Sequence, residues 1–268
     1  GLIKKVCVMS SKKVLAAAAT ILVTSAACAP ETSSSQASGK ETLTVFGAAS
    51  TRVLNADLPQ SANIDTHLAF INGGSGSLLQ QLEDGAPGDV LITADRATMD
   101  EAVERGVVSD PVKVATNSMV LIVPKGNPAH ITGADASLSA AKVVTCDRKV
   151  PCGKIAEELI SSLGLDFTPV SRENSVSDVA GKVLSGVADA GWVYRTDAQA
   201  LSDSVDVFDI PGAGSHSNEI MAAVVNNSDT KETALSLVKY LASAESAQLW
   251  SRHGFTPATE ITEDSATQ

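Results

Sequence analysis

The stretch from Asn72 to Asp95, NGGSGSLLQQLEDGAPGDVLITAD, constrains the fold of this chain more than any other. It opens on Gly73-Gly74-Ser75-Gly76, where glycine's backbone freedom favours a turn over regular structure. Leu78, Leu79 and Leu82 then share one helical face, with Gln80, Gln81, Glu83 and Asp84 elsewhere. Gly85-Ala86-Pro87-Gly88 stops that helix, and Asp89 to Thr93 reads as a short buried strand. The unit is turn, helix and strand, with a helix N-terminus opening beside small hydroxyl residues. Free N–H groups there can receive an anion; the plainer reading is that Ser75 or Ser77 caps the helix.

Strands and helices alternate on both sides of this unit. Residues 42–46 read as a strand, and Gly47-Ala48-Ala49-Ser50 as a tight turn into a helix that Pro59 limits. A second strand runs over 67–71, and a helix over 96–105 stops at Gly106. Further strands are predicted at 119–124, 142–145, 190–194, 205–210 and 220–225. Helices are predicted at 154–163, 177–186, 231–242 and 244–253. This alternation implies an α/β chain of two lobes, each a mostly parallel sheet flanked by helices. The expected division is 41–122 plus 219–260 for the first lobe and 123–218 for the second, with 261–268 as a tail. In such sheets ligands sit beyond the carboxyl ends of the strands, here in the cleft between the lobes.

Residues 1–27 read as an export signal: Lys12-Lys13, an apolar run from Val14 to Val23, then small residues up to Cys28. Met9 is the expected start, and the apolar run is short for a membrane span. The run of small residues resembles a lipoprotein processing site, making Cys28 the expected lipidated N-terminus. Ser25 departs from that pattern, which leaves plain secretory cleavage or an uncleaved anchor as alternatives. Residues 28–40 form a polar, Ser-rich tether. The chain is therefore expected to be exported and held at the outer face of the cell membrane by a lipid.

Net charge is -11, and removing Lys4, Lys5, Lys12 and Lys13 with the leader leaves 16 basic residues against 31 acidic, or -15. Such a balance argues against nucleic acid, which needs clustered Lys and Arg. A small anion held by neutral donors stays allowed. Helix-start turns at Ala49-Ser50-Thr51, Gly74-Ser75-Gly76 and Pro151-Cys152-Gly153 offer such donors, and Asn174 to Val179 a fourth, capped by Asn174 or Ser177.

Cys146 and Cys152, in an oxidising setting, read as a disulfide, with free thiols or a metal site as alternatives. Only Asp147 offers itself as a further zinc ligand. The histidines at 67, 130, 216 and 253 lie in unrelated contexts, and no GxSxG or HExxH string occurs. No catalytic set emerges, so an exported hydrolase is the contrasting reading.

The segments TVFGAAS at 44–50, GSGSLLQQLEDGAPGDVLITAD at 74–95, VPCG at 150–153, SDVAGKVLSGVADAGWVY at 177–194 and RHGF at 252–255 occur in order. Together they resemble the periplasmic molybdate-binding proteins of ABC importers. The resemblance implies a type II solute-binding fold closing on molybdate or tungstate, a membrane permease as partner, a monomer, and no cofactor or direct metal ligand. It implies hydroxyl donors at Ser50, Ser75 and Tyr194 and backbone donors at Cys152 and Val179, with Ser177 competing for the last role. The family often carries alanine where Cys152 stands, which a backbone donor tolerates. Another tetrahedral oxyanion, sulfate above all, is the alternative ligand. Phosphate keeps a proton at neutral pH and would want a carboxylate acceptor, which none of these positions supplies.

Overall fold

The computed structural model describes residues 41–260. The leader, the tether, Cys28 and the 261–268 tail lie outside the described residues. The first sheet begins with β1 (Thr42–Ala48), a 3-10 turn at Ala49–Leu54 and the single-turn α1 (Leu58–Ser61). Pro59 stands in the first turn of α1, where its missing N–H costs nothing. There follow β2 (His67–Gly73), α2 (Ser75–Glu83), β3 (Val90–Thr93), α3 (Arg96–Glu104) and β4 (Val108–Asn117). The second sheet starts at β5 (Met119–Pro124) and continues through β6 (Val143–Cys146), α4 (Pro151–Ser162) and β7 (Ser171–Glu173). Next come α5 (Val176–Leu184), β8 (Ala190–Tyr194), α6 (Arg195–Ala200) and β9 (Val205–Asp209). The chain returns through β10 (Asn218–Val225), α7 (Lys231–Leu241), α8 (Ala247–Arg252) and β11 (Thr256–Pro257).

The sheet orders are β11-β4-β10-β3-β1-β2 and β7-β6-β8-β5-β9. Each is parallel in one half only. β2, β1 and β3 run parallel, as do β7, β6 and β8, whereas β10 and β5 run antiparallel to every neighbour. The mostly parallel expectation thus holds for three strands of each sheet. The reason is connectivity: β10 and β5 are entered directly from the other lobe and not through a helical crossover. The lobe boundary also shifts from the expected 122. All of β5 pairs in the second sheet, and Met119 to Val123 lie in its core with Trp192, Leu159 and Val183. The crossings therefore fall at Ser118 and at Ser217.

Strand β4 carries Asp110, Pro111 and Lys113, and its alternation is too polar to read as a strand. It tolerates proline because only the two-residue β11 flanks its outer side. Cys146 and Cys152 form a disulfide, Cα atoms 5.8 Å apart, between the end of β6 and the start of α4.

Candidate functional site

A cleft of about 480 Å³ lies where the two lobes meet, within the usual range of small-molecule sites. From the first lobe it is lined by Ala49, Ser50, Ala94, Asn117 and Asn218, and from the second by Val176, Ser177, Tyr194, Thr196 and Asp197. No Lys, Arg or His is among its lining residues.

Ser50 sits in the 3-10 turn after β1, and local hydrogen bonds fix that turn. Asn72 Nδ2 donates to the Gly47 carbonyl (3.0 Å), Asn55 Nδ2 to Asn72 Oδ1 (2.7 Å), and Thr51 Oγ1 to the Ala48 carbonyl (2.8 Å). The Ser50 hydroxyl itself is buried without a partner, as is Asn117 Oδ1. Buried polar atoms are normally paired, so an orphan hydroxyl on a residue that lines a cleft marks a place for a ligand.

Tyr194, at the end of β8, accepts a hydrogen bond on its hydroxyl from Asn218 Nδ2 (3.1 Å). Its own proton is then left to donate. Burial pushes the phenol above its usual 10.0, against the pull of the Asn218 bond. Asp197 reaches back to accept from the Tyr194 backbone amide (3.2 Å), and burial likewise pushes its carboxyl above the usual 3.8. Asn117 Nδ2 donates to Thr196 Oγ1 (3.0 Å), a second hydrogen bond between the lobes.

Of the five residues expected to hold the anion, Ser50 and Tyr194 line one cleft from opposite lobes. Ser75 stands just behind it. Its hydroxyl accepts from the amide of Ala94, a lining residue (3.0 Å), and it does not cap its own helix. Cys152 lies outside the lining. It is the second residue of α4, after Pro151, and the first amides bonding back there belong to Gly153 and Lys154, both to Val150. The Val179 amide already has a partner: it donates to the Ser175 carbonyl (3.2 Å), inside α5. Ser175 is the cap, accepting from Asp178 N (3.2 Å), in place of Asn174 or Ser177. The amides at the open start of α5 belong to Val176 and Ser177, and both residues line the cleft. The open amides of this helix start thus lie about one turn before Val179.

Asn117, Asn218, Thr196 and Asp197 were not anticipated. The signal for α6 was legible: Asp197 three residues after Tyr194 has the spacing of a capping box. Asp197 also undoes the argument against phosphate, because a carboxylate does line this cleft.

The pH dependence of anion affinity follows from these groups. The Tyr194 value is raised, so its hydroxyl remains a donor until the solution is strongly alkaline. The Asp197 value is raised too, and a dianion nearby raises it further, so binding takes up a proton as pH falls. Affinity should therefore increase on the acid side as Asp197 is protonated and fall on the far alkaline side as Tyr194 loses its proton. Calorimetric titrations at constant ionic strength would show this, and affinity that rises steadily with pH would exclude this donor set.

Comparison with known proteins agrees with this architecture. The description "Bacterial extracellular solute-binding protein" matches residues 23–256. A relative from Mycobacterium tuberculosis named "Molybdate-binding protein ModA" is 33% identical over 222 residues, covering 81% of this chain and 85% of its own. A Bacillus subtilis chain, YvgL, named as an ABC transporter substrate-binding lipoprotein, is 28% identical over 235 residues, covering 84% of this chain and 90% of its own. Among solved structures, the substrate binding domain of a Clostridium difficile protein named for a molybdenum ABC transporter superposes with a TM-score of 0.68. That pair is 24% identical, covering 81% of this chain and 99% of the other, and it bears on the fold alone.

Proposed function

The chain belongs to the bacterial extracellular solute-binding proteins, and from that premise we propose that it captures molybdate outside the cytoplasm. Tungstate is bound comparably, and the anion is handed to the membrane permease of an ABC importer. The protein is a transport component, works as a monomer and uses no cofactor; molybdenum enters only as its oxyanion. The observation that carries this reading is the buried, unpartnered hydroxyl of Ser50, a residue that lines one cleft with Tyr194 and with no cation. Neutral donors suit a fully deprotonated tetrahedral dianion, and helix N-termini add partial positive charge. The relative's name supports molybdate as the dianion.

The test is a set of calorimetric titrations with molybdate, tungstate, sulfate and hydrogen phosphate. Molybdate and tungstate should bind alike and at least a hundredfold more tightly than the other two. Tighter sulfate binding would assign the alternative ligand, and tighter phosphate binding would give Asp197 the role of acceptor. We further propose that Cys28 is the acylated N-terminus of the mature chain, supported by the leader sequence and by the lipoprotein name of YvgL. Mass spectrometry of the exported protein would show the lipid, and an unmodified Cys28 would remove the anchor.

A further inference from the structure

The RHGF segment, residues 252–255, lies outside the cleft lining, yet it touches both of the elements that flank the cleft. On one side Arg252 and His253 hold Asp57, just beyond the turn that carries Ser50. His253 Nε2 lies 2.9 Å and Arg252 Nη1 3.3 Å from Asp57 Oδ2. These partners hold the Asp57 carboxyl below its usual range, the His253 hydrogen bond foremost. On the other side Gly254 is buried against α6, the helix that follows Tyr194. A Cβ at Gly254 would stand 2.8 Å from the Arg195 carbonyl oxygen and 3.1 Å from Gln199 Cβ. Phe255 anchors the segment from beneath, edge-on to the buried Trp250 with centroids 5.3 Å apart.

Two strand crossings, at Ser118 and Ser217, join the lobes, and two points of attachment leave one hinge rotation free. The Gly254–α6 contact is a third point belonging to neither crossing. A backbone-to-backbone contact of this kind is a hard stop, since neither side has a flexible end to move aside. We propose that residues 252–255 form a strut that sets the lobe separation at which Ser50 and Tyr194 reach one anion. Gly254 is its bearing on α6, and Asp57 is its anchor beside the Ser50 turn. Glycine is required twice at this bearing: by the close approach, and by a φ of +85° that other residues adopt only under strain. All of these are positioning residues, none touching the anion.

Gly254→Ala should wedge the lobes apart. Gly106→Ala is the control, because Gly106 has a comparable φ of +69° at the end of α3 with nothing within 4 Å of the added carbon. Asp57→Asn weakens the anchor from the surface without threatening the fold. Spin labels on cysteines placed at the exposed Glu104 and Lys154, one per lobe, report lobe separation in the full chain without ligand. The expected result is a longer or broader distance distribution in Gly254→Ala, with molybdate affinity at least tenfold lower. Asp57→Asn should lose affinity about threefold, and Gly106→Ala should match the parent in both measurements. Parental distances and affinity in Gly254→Ala would overturn the strut. If that variant does not fold, parental values for Asp57→Asn would do the same. Only the affinity arm rests on the molybdate reading. A parent that fails to bind molybdate sinks that reading, and the distances then decide the strut alone.

Discussion

Gly153→Ala is expected to lower the melting temperature by about 6–12 °C and to weaken anion binding at least tenfold. The added Cβ would lie 1.9 Å from the Asp147 carbonyl oxygen and 2.4 Å from its carbonyl carbon. No side chain is there to move aside. The loop that would have to yield is closed by the Cys146–Cys152 bridge, and the Asp147 carbonyl already accepts from the Val150 amide (3.1 Å). Overpacking a well-filled site costs about 1–3 kcal/mol, and a backbone-to-backbone clash belongs at the top of that range. Near 3 kcal/mol, at about 2–4 °C per kcal/mol for a chain of this size, gives the stated shift. The affinity loss is the arm that tests the expected role of the Cys152 amide, which lies outside the cleft lining at the open end of α4 in the same turn. Gly181→Ala is the contrasting variant. Gly181 is an exposed residue inside α5 with nothing within 4 Å of its added carbon, so alanine should stabilise by about 0.5–1 kcal/mol. Thermal unfolding of both variants is the measurement. Equal melting temperatures would mean that the close approach at Gly153 is not obligatory.

Gly153 was legible as part of a turn, but not as a contact, and the same divide runs through the rest of the chain. Apolar strands such as β3 and β5, buried throughout but for the closing Pro124 of β5, announce themselves by composition. Strand β4 does not, because Asp110, Pro111 and Lys113 are tolerated only through its place near the sheet edge, a tertiary fact. Strand direction was likewise hidden, since whether β10 runs with or against β3 depends on its entry from the other lobe. At the site, Ser50 was legible as part of the turn after a strand, whereas Tyr194, the last residue of β8, came only through the family resemblance. The position of Val179 within its helix could not be read locally. Asn174, Ser175 and Ser177 are all good caps, and the choice among them moves every donor along the helix. Asn117 and Asn218 pair in register on neighbouring strands at the crossings, a partnership that no local pattern reveals.

Ser50→Ala should make the ligand-free protein no less stable, and by up to about 1 kcal/mol more stable, while weakening molybdate binding about tenfold to a hundredfold. The opposite signs arise from one atom. Without ligand, Ser50 Oγ is buried and unpaired, and such a group carries a desolvation cost of about 1–3 kcal/mol that alanine removes. With the anion present, the hydroxyl donates to a charged acceptor, an interaction of about 1.5–3 kcal/mol. Tyr194→Phe should behave differently in the ligand-free state. It strands the Asn218 amide that now donates to the phenol, so stability should fall by about 1 kcal/mol alongside a similar affinity loss. Because the two hydroxyls reach one anion from different lobes, their losses are coupled, and the double variant should lose less than the roughly hundredfold to ten-thousandfold that simple addition would give. Calorimetry for affinity and urea unfolding without ligand give the two readings for each variant. A Ser50→Ala protein that binds as tightly as the parent would place the anion elsewhere. One that is less stable without ligand would mean that the hydroxyl has a partner in the free protein.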